Sequence, residues 1–190
     1  MRIAGLMISF GSLLVIILSL APISSAAGAN KMGTGVSAER GKYLVTIASC
    51  NDCHTPLKMT AQGPQPDMTL LLSGHPASLH MATPPKTDEM WGWVGAMTMT
   101  AFSGPWGTSY AANLTPDMET GLGAWSEAAF IGAMRTGQHM GAGRMIMPPM
   151  PWMNIGKMTD DDLKSVFAYL KTIPPVKNQV PDVVEPPKEK

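Results

Sequence analysis

Cys50-Asn51-Asp52-Cys53-His54 places two thiols three positions apart, with an imidazole directly after the second. At that spacing each thiol can form a thioether to one vinyl group of a porphyrin, and the adjacent histidine is set to put a ring nitrogen on the iron. C-x-x-C-H is the attachment pattern of c-type haem, and a single copy predicts one covalently bound haem c. The competing readings are weaker. A redox-active disulfide at this spacing belongs with a βαβ pattern, whereas these surroundings are helical and Gly/Pro-rich. A zinc site needs further thiols or imidazoles close by, and only His75, His80 and His139 remain. A structural disulfide closing so short a loop would stabilise almost nothing.

An iron held by His54 needs a sixth ligand, and a chain with few histidines and a methionine-bearing loop before its last helix favours sulfur. The stretch Met145-Ile146-Met147-Pro148-Pro149-Met150-Pro151-Trp152-Met153 is that loop. Met150 lies between Pro149 and Pro151, whose fixed φ angles stiffen the backbone on both sides. Spacing alone still leaves Met145, Met147 and Met153 as competitors, and the plain role of a methionine is to fill a core.

The elements that position these residues are read from periodicity and caps. Ala38 to Ser49 predicts a first helix running straight into Cys50, with Leu44, Ile47 and Ala48 at helical spacing and Gly41 near its start. Thr55 to Thr108 is rich in Pro, Gly and Met and predicts chain wrapped over haem, with one short helix within Asp67 to Gly74. Met97 to Phe102 alternates like a strand, Ser103-Gly104-Pro105 turns, and Thr108 to Ala111 returns, which together predict a small hairpin. Ser126 caps a helix to about Thr136, stopped by Gly137. Thr159 caps the last helix, in which Asp160, Asp161 and Asp162 complement the dipole and Leu163, Val166, Phe167 and Leu170 recur at i, i+3, i+4, i+7. Its apolar stripe should cross that of the first helix, with Gly41 permitting close approach.

The 190 residues fit one domain plus an export segment, and 45% hydrophobic content suits a packed core. Lys+Arg and Asp+Glu are equal at 14 each, so no strong field exists to gather nucleic acid. Arg2, an apolar run over Leu13-Leu14-Val15-Ile16-Ile17-Leu18 and the small residues Ser25-Ala26-Ala27 form a signal-peptide pattern. The other reading is an uncleaved anchor, since the uncharged stretch from Ile3 to Ala27 is long enough to span a bilayer. The organisation expected is a signal peptide at 1–27, a flexible leader at 28–37, a haem domain at 38–176 and an extended, mobile Pro-rich tail at 177–190.

Taken in order, Cys-x-x-Cys-His54-Thr55-Pro56, Asn113-Leu114-Thr115-Pro116-Asp117, Thr120-Gly121-Leu122-Gly123-Ala124-Trp125-Ser126, Pro148-Pro149-Met150-Pro151-Trp152, Met158-Thr159-Asp160-Asp161-Asp162-Leu163 and Ala168-Tyr169-Leu170 resemble class I-like bacterial cytochromes c. More narrowly, they look like the haem domains of cytochrome subunits that serve periplasmic alcohol and sugar dehydrogenases. The likeness runs from about Ala38 to Val176. It implies a mainly α, cytochrome c-like helical fold around one haem, with long Pro/Gly-rich loops and a small β-hairpin. It also implies Met150 as the distal iron ligand, and Asn113, Trp125 or Arg144 near the haem propionates. Those subunits usually carry three haem motifs, and this chain carries one.

The expected function is one-electron transfer in the periplasm between redox protein partners, a dehydrogenase among the candidate donors. Membrane attachment is expected only if the N-terminal segment is retained. No nucleophile–base set or carboxylate pair accompanies a motif, so an electron carrier is expected and not an enzyme. The alternative is an exported copper-binding protein, since 17 methionines offer soft thioethers suited to Cu(I).

Overall fold

The computed structural model describes residues 35–86 and 90–186; the expected signal peptide and most of the leader lie outside them. Helix α1 is Ala38–Ile47, begun by Ser37, whose side chain accepts the backbone N–H of Arg40. The helix stops before Ser49, which adopts a left-handed conformation (φ 57°), and α2 then forms a separate turn over Cys50–His54. The expected single helix into Cys50 is thus two helices with a kink. Strands β1 (Leu57–Thr60) and β2 (Gly63–Pro66) make a two-stranded antiparallel hairpin that the periodicity did not signal. Only a 3-10 turn at Met68–Leu70 fills the expected short helix, its Asp67 side chain accepting from Thr69 N–H.

The expected hairpin is present but starts later. β4 (Ala101–Gly104) pairs with β5 (Gly107–Tyr110) around a two-residue turn at Pro105-Trp106, and β3 (Val94–Gly95) adds a third antiparallel strand. Met97 to Met99 belong to the turn before β4, where Met99 has φ 56°.

Helix α3 is Glu127–Thr136, with the Ser126 side chain accepting from Ala129 N–H and Gly137 closing it at φ 68°. A short α4 (Trp152–Ile155) follows the methionine loop. Helix α5 (Asp160–Leu170) is capped by Thr159, whose hydroxyl accepts Asp162 N–H. Among the described residues there are therefore five α-helices and two small sheets, and no helix long and apolar enough to cross a membrane.

The core forms where α1, α3 and α5 meet: Leu44 and Val45, Phe130, Ala133 and Met134, and Leu163, Val166, Phe167 and Leu170 are buried together with Leu72, Leu122 and Ile173. Helices α1 and α5 cross at Gly41, where a Cβ would collide with the Ser165 carbonyl. The crossing is pinned from its ends: Ser37 N–H donates to Ser165 Oγ at 3.2 Å, and Arg40 Nε donates to Asp162 at 2.6 Å. Phe130 of α3 meets Phe167 of α5 with ring centroids 5.3 Å apart.

Methionine contributes little to this core. Met134 is buried, whereas Met59, Met68, Met90, Met97, Met118 and Met153 are exposed, because they lie outside the apolar stripes of α1, α3 and α5.

The tail also departs from expectation. It is extended, but Asn178 is buried and hydrogen-bonded, and Val184 forms an isolated antiparallel bridge to Thr108 through N–H···O bonds of 2.8 and 2.9 Å. Composition described the chain's polarity correctly and missed these specific anchors.

Candidate haem-attachment site

Helix α2 displays the motif on one turn. His54 is buried, at 7% exposure, while Cys50 and Cys53 are half-buried free thiols. Burial pushes the Cys50 thiol up to about 11, and burial together with the nearby Asp52 carboxylate raises Cys53. Both thiols are therefore held in their neutral form at neutral pH. Burial also pushes the His54 imidazole below its ordinary range, outweighing the hydrogen bond that favours its charged form. The ring is neutral.

Its orientation follows from one contact. His54 Nδ1 lies 2.8 Å from the Ala112 carbonyl oxygen. A carbonyl only accepts, so Nδ1 carries the proton and Nε2 keeps its lone pair. Metal-ligating histidines are held in this way by an oxygen acceptor behind the ring.

The acceptor is itself held by a dense backbone lattice. Gly74 N–H donates to the His54 carbonyl at 2.8 Å, His75 N–H to Ala111 at 2.9 Å, and Leu114 N–H to Leu72 at 2.9 Å, while the Thr55 hydroxyl accepts Leu72 N–H at 2.9 Å. Gly74 takes φ 77°, and a Cβ there would collide with the carbonyls of Ala111 and Ala112. Glycine is required both by the torsion and by the close approach.

Met150 is half-buried and, like Cys50, packs against the main core. The Pro148-Pro149 bond before it is cis. Of the competing methionines, Met145 and Met153 are exposed. The donor set on α2, two half-buried thiols followed by an oriented, buried imidazole, fits haem c.

The residues tied by resemblance to haem propionates divide. Asn113 does not fit that role, because its side chain is consumed within the protein: Nδ2 donates to Val176 O at 2.8 Å and Oδ1 accepts Thr115 N–H and Oγ1–H at 3.0 and 2.7 Å. Trp125 packs against the core and edge-on to His139, centroids 4.8 Å apart. Arg144 is exposed and lines a cavity of about 300 Å³ with Met145, Met147 and Asp182. Among the described residues it makes no ion pair.

The family model for cytochrome c matches residues 38–174, and the chain belongs to the cytochrome c family. With that family it is an electron-transfer component and not a catalytic enzyme. It is similar to a nicotinate dehydrogenase subunit of Pseudomonas putida, at 42% identity over 75% of this chain and 9% of that protein. It is also similar to the gluconate 2-dehydrogenase cytochrome c subunit of Pantoea cypripedii, at 29% identity over 82% of this chain and 27% of that protein. The fructose dehydrogenase cytochrome subunit of Gluconobacter japonicus matches at 29% identity over 72% of this chain and 21% of that protein. The chain thus spans about a quarter or less of the length of these relatives.

Proposed function

We propose that this chain is a periplasmic electron carrier with one haem, bound through thioethers at Cys50 and Cys53 and ligated by His54 and Met150. The observation that carries the reading is the His54 ring, held by the Ala112 carbonyl so that Nε2 is the free nitrogen on a buried, neutral imidazole beside two thiols. One C-x-x-C-H motif and only two cysteines support a single haem in a helical, cytochrome c-like frame. Bound there, haem would supply a one-electron ferric/ferrous couple whose potential His/Met ligation tends to raise.

The protein's own contribution is rigidity. His54 is fixed by a backbone acceptor and sits beside a close-packed core, so the proximal ligand need not rearrange between oxidation states. The relatives named for gluconate and fructose dehydrogenases support a dehydrogenase as electron donor. The signal-peptide pattern supports export of the haem domain at 38–176, behind a cleaved segment at 1–27 and a leader at 28–37.

The test begins with the purified protein's spectrum. A red protein with a reduced α band, whose colour stays with the polypeptide after denaturation and acid–acetone extraction, is expected; a colourless protein would overturn the reading in favour of a copper carrier. In the oxidised protein, sulfur ligation gives a weak band at the near-infrared edge of the visible. Met150→Ala should abolish it while leaving haem covalently attached, and Met→Leu changes at 145, 147 and 153 should keep it. Loss of the band from one of those three, with Met150→Ala retaining it, would move the ligand to that residue.

A further inference from the structure

Prolines leave the methionine loop short of its own anchors. From Pro148 to Pro151 only Met150 has a backbone N–H, and that donor reaches Met147 O at a long 3.4 Å. The remaining backbone bonds of this stretch, Trp152 N–H to Met150 O and those of Asn154 and Ile155 to Pro151 O, run forward into α4. A stretch so poor in donors is held in place by donors from elsewhere.

Ser109 supplies one. It lies on β5, its side chain is buried, and its hydroxyl is 2.5 Å from the Pro148 carbonyl, two residues before Met150. The direction of that bond is fixed by chemistry. Trp106 Nε1–H, which can only donate, points into Ser109 Oγ at 3.2 Å. The hydroxyl proton must therefore go to a carbonyl, and the alternative at Phe102 O is 3.4 Å away. The relay runs Trp106 to Ser109 to Pro148.

The same strand continues into the segment behind His54. Ala111 O accepts from His75 N–H at 2.9 Å, and Ala112 O holds the His54 ring at 2.8 Å. Ser109 and Ala112, three positions apart, thus grip the methionine loop and the histidine respectively. We propose that Ser109 is a positioning residue for Met150, holding its loop through the Pro148 carbonyl so that the sulfur stays on the iron; this rests on the reading of Met150 as a ligand. Loosening that bond raises the fraction of time in which the sulfur is off, and an exogenous ligand enters faster.

The experiment uses the haem-loaded full chain. Ser109→Ala should retain covalent haem, weaken the near-infrared sulfur band and accelerate cyanide binding to the oxidised protein by roughly fivefold to tenfold, the scale of one lost buried hydrogen bond. Ser109→Thr, which keeps the hydroxyl, should restore the wild-type rate. Thr108→Val removes a neighbouring hydroxyl that donates to Ser103 Oγ and not to the loop; it should leave rate and band unchanged whatever it does to stability. If Ser109→Ala does not accumulate, Trp106→Phe deletes the donor that orients the relay and should give a smaller acceleration. Equal cyanide rates and intact bands in wild type and Ser109→Ala, or in Trp106→Phe where that variant stands in, would overturn the proposal alone, as would equal acceleration by Thr108→Val. A wild-type protein with covalent haem but no sulfur band would instead overturn the ligand reading and the proposal with it.

Discussion

Asn178 closes the C-terminal tail onto His75: its Nδ2 donates to the His75 carbonyl at 2.9 Å and to that of Ser73 at 2.7 Å, and its Oδ1 accepts Ala77 N–H at 2.8 Å. One amide side chain satisfies three backbone groups on the strap that packs behind the His54 turn.

Asn178→Ala should therefore destabilise by about 2–4 kcal/mol, since buried backbone groups lose their partner. Truncation after Val176 should cost at least as much. Urea or thermal unfolding of the haem-loaded protein measures both, and a truncated chain melting with the full one would show that the tail is not docked.

At the crossing of α1 and α5, helix propensity and packing pull in opposite directions. Gly41→Ala would gain up to about 1 kcal/mol in an isolated helix, but its Cβ would meet the Ser165 carbonyl and Tyr169 Cβ. Backbone cannot swing aside as a side chain can, so we expect net destabilisation of about 1–3 kcal/mol by denaturant titration. A stabilised variant would mean that the helices separate at little cost.

Asp162 predicts an acid limb. Burial pushes its carboxyl up, but the Arg40 guanidinium and the Thr159 cap outweigh this, and the net shift is downward. A carboxylate depressed in the folded state adds stability above its unfolded value of about 3.9, and that increment is lost as pH falls through the folded value. Asp162→Asn should cost about 1–2 kcal/mol at neutral pH, and the gap to wild type should close as pH falls through the folded value. A gap that stays constant across that window would assign the loss to packing.

What the sequence disclosed depended on whether the signal lay in a side chain. Ser126, Gly137 and Thr159 announced the ends of α3 and α5 because capping is local chemistry, and both helices lie where those residues put them. Cys50, Cys53 and His54 were legible for the same reason, since the whole motif fits one turn. The break at Ser49 was not, because serine carries no mark of a left-handed residue. The β1–β2 hairpin was hidden by Pro64 and Pro66, which read against strand. The acceptor behind His54 is a main-chain carbonyl, identical at every position, and only folding selects Ala112 to present it. Asn178 was equally invisible: a single amide in a polar tail has no pattern until its three partners surround it.

The bridge between Val184 and Thr108 has a consequence for how molecules behave towards one another. β5 is the outermost strand of its sheet, and Val184 takes up the N–H and C=O of Thr108 on that open side. Gly107 lies close enough beneath the Val184 carbonyl that a Cβ would collide with it. An uncapped strand edge is a template on which a second chain can add. The tail thus works as a built-in blocker, and its loss would show first in concentrated solution, as self-association through the bared rim of the hairpin.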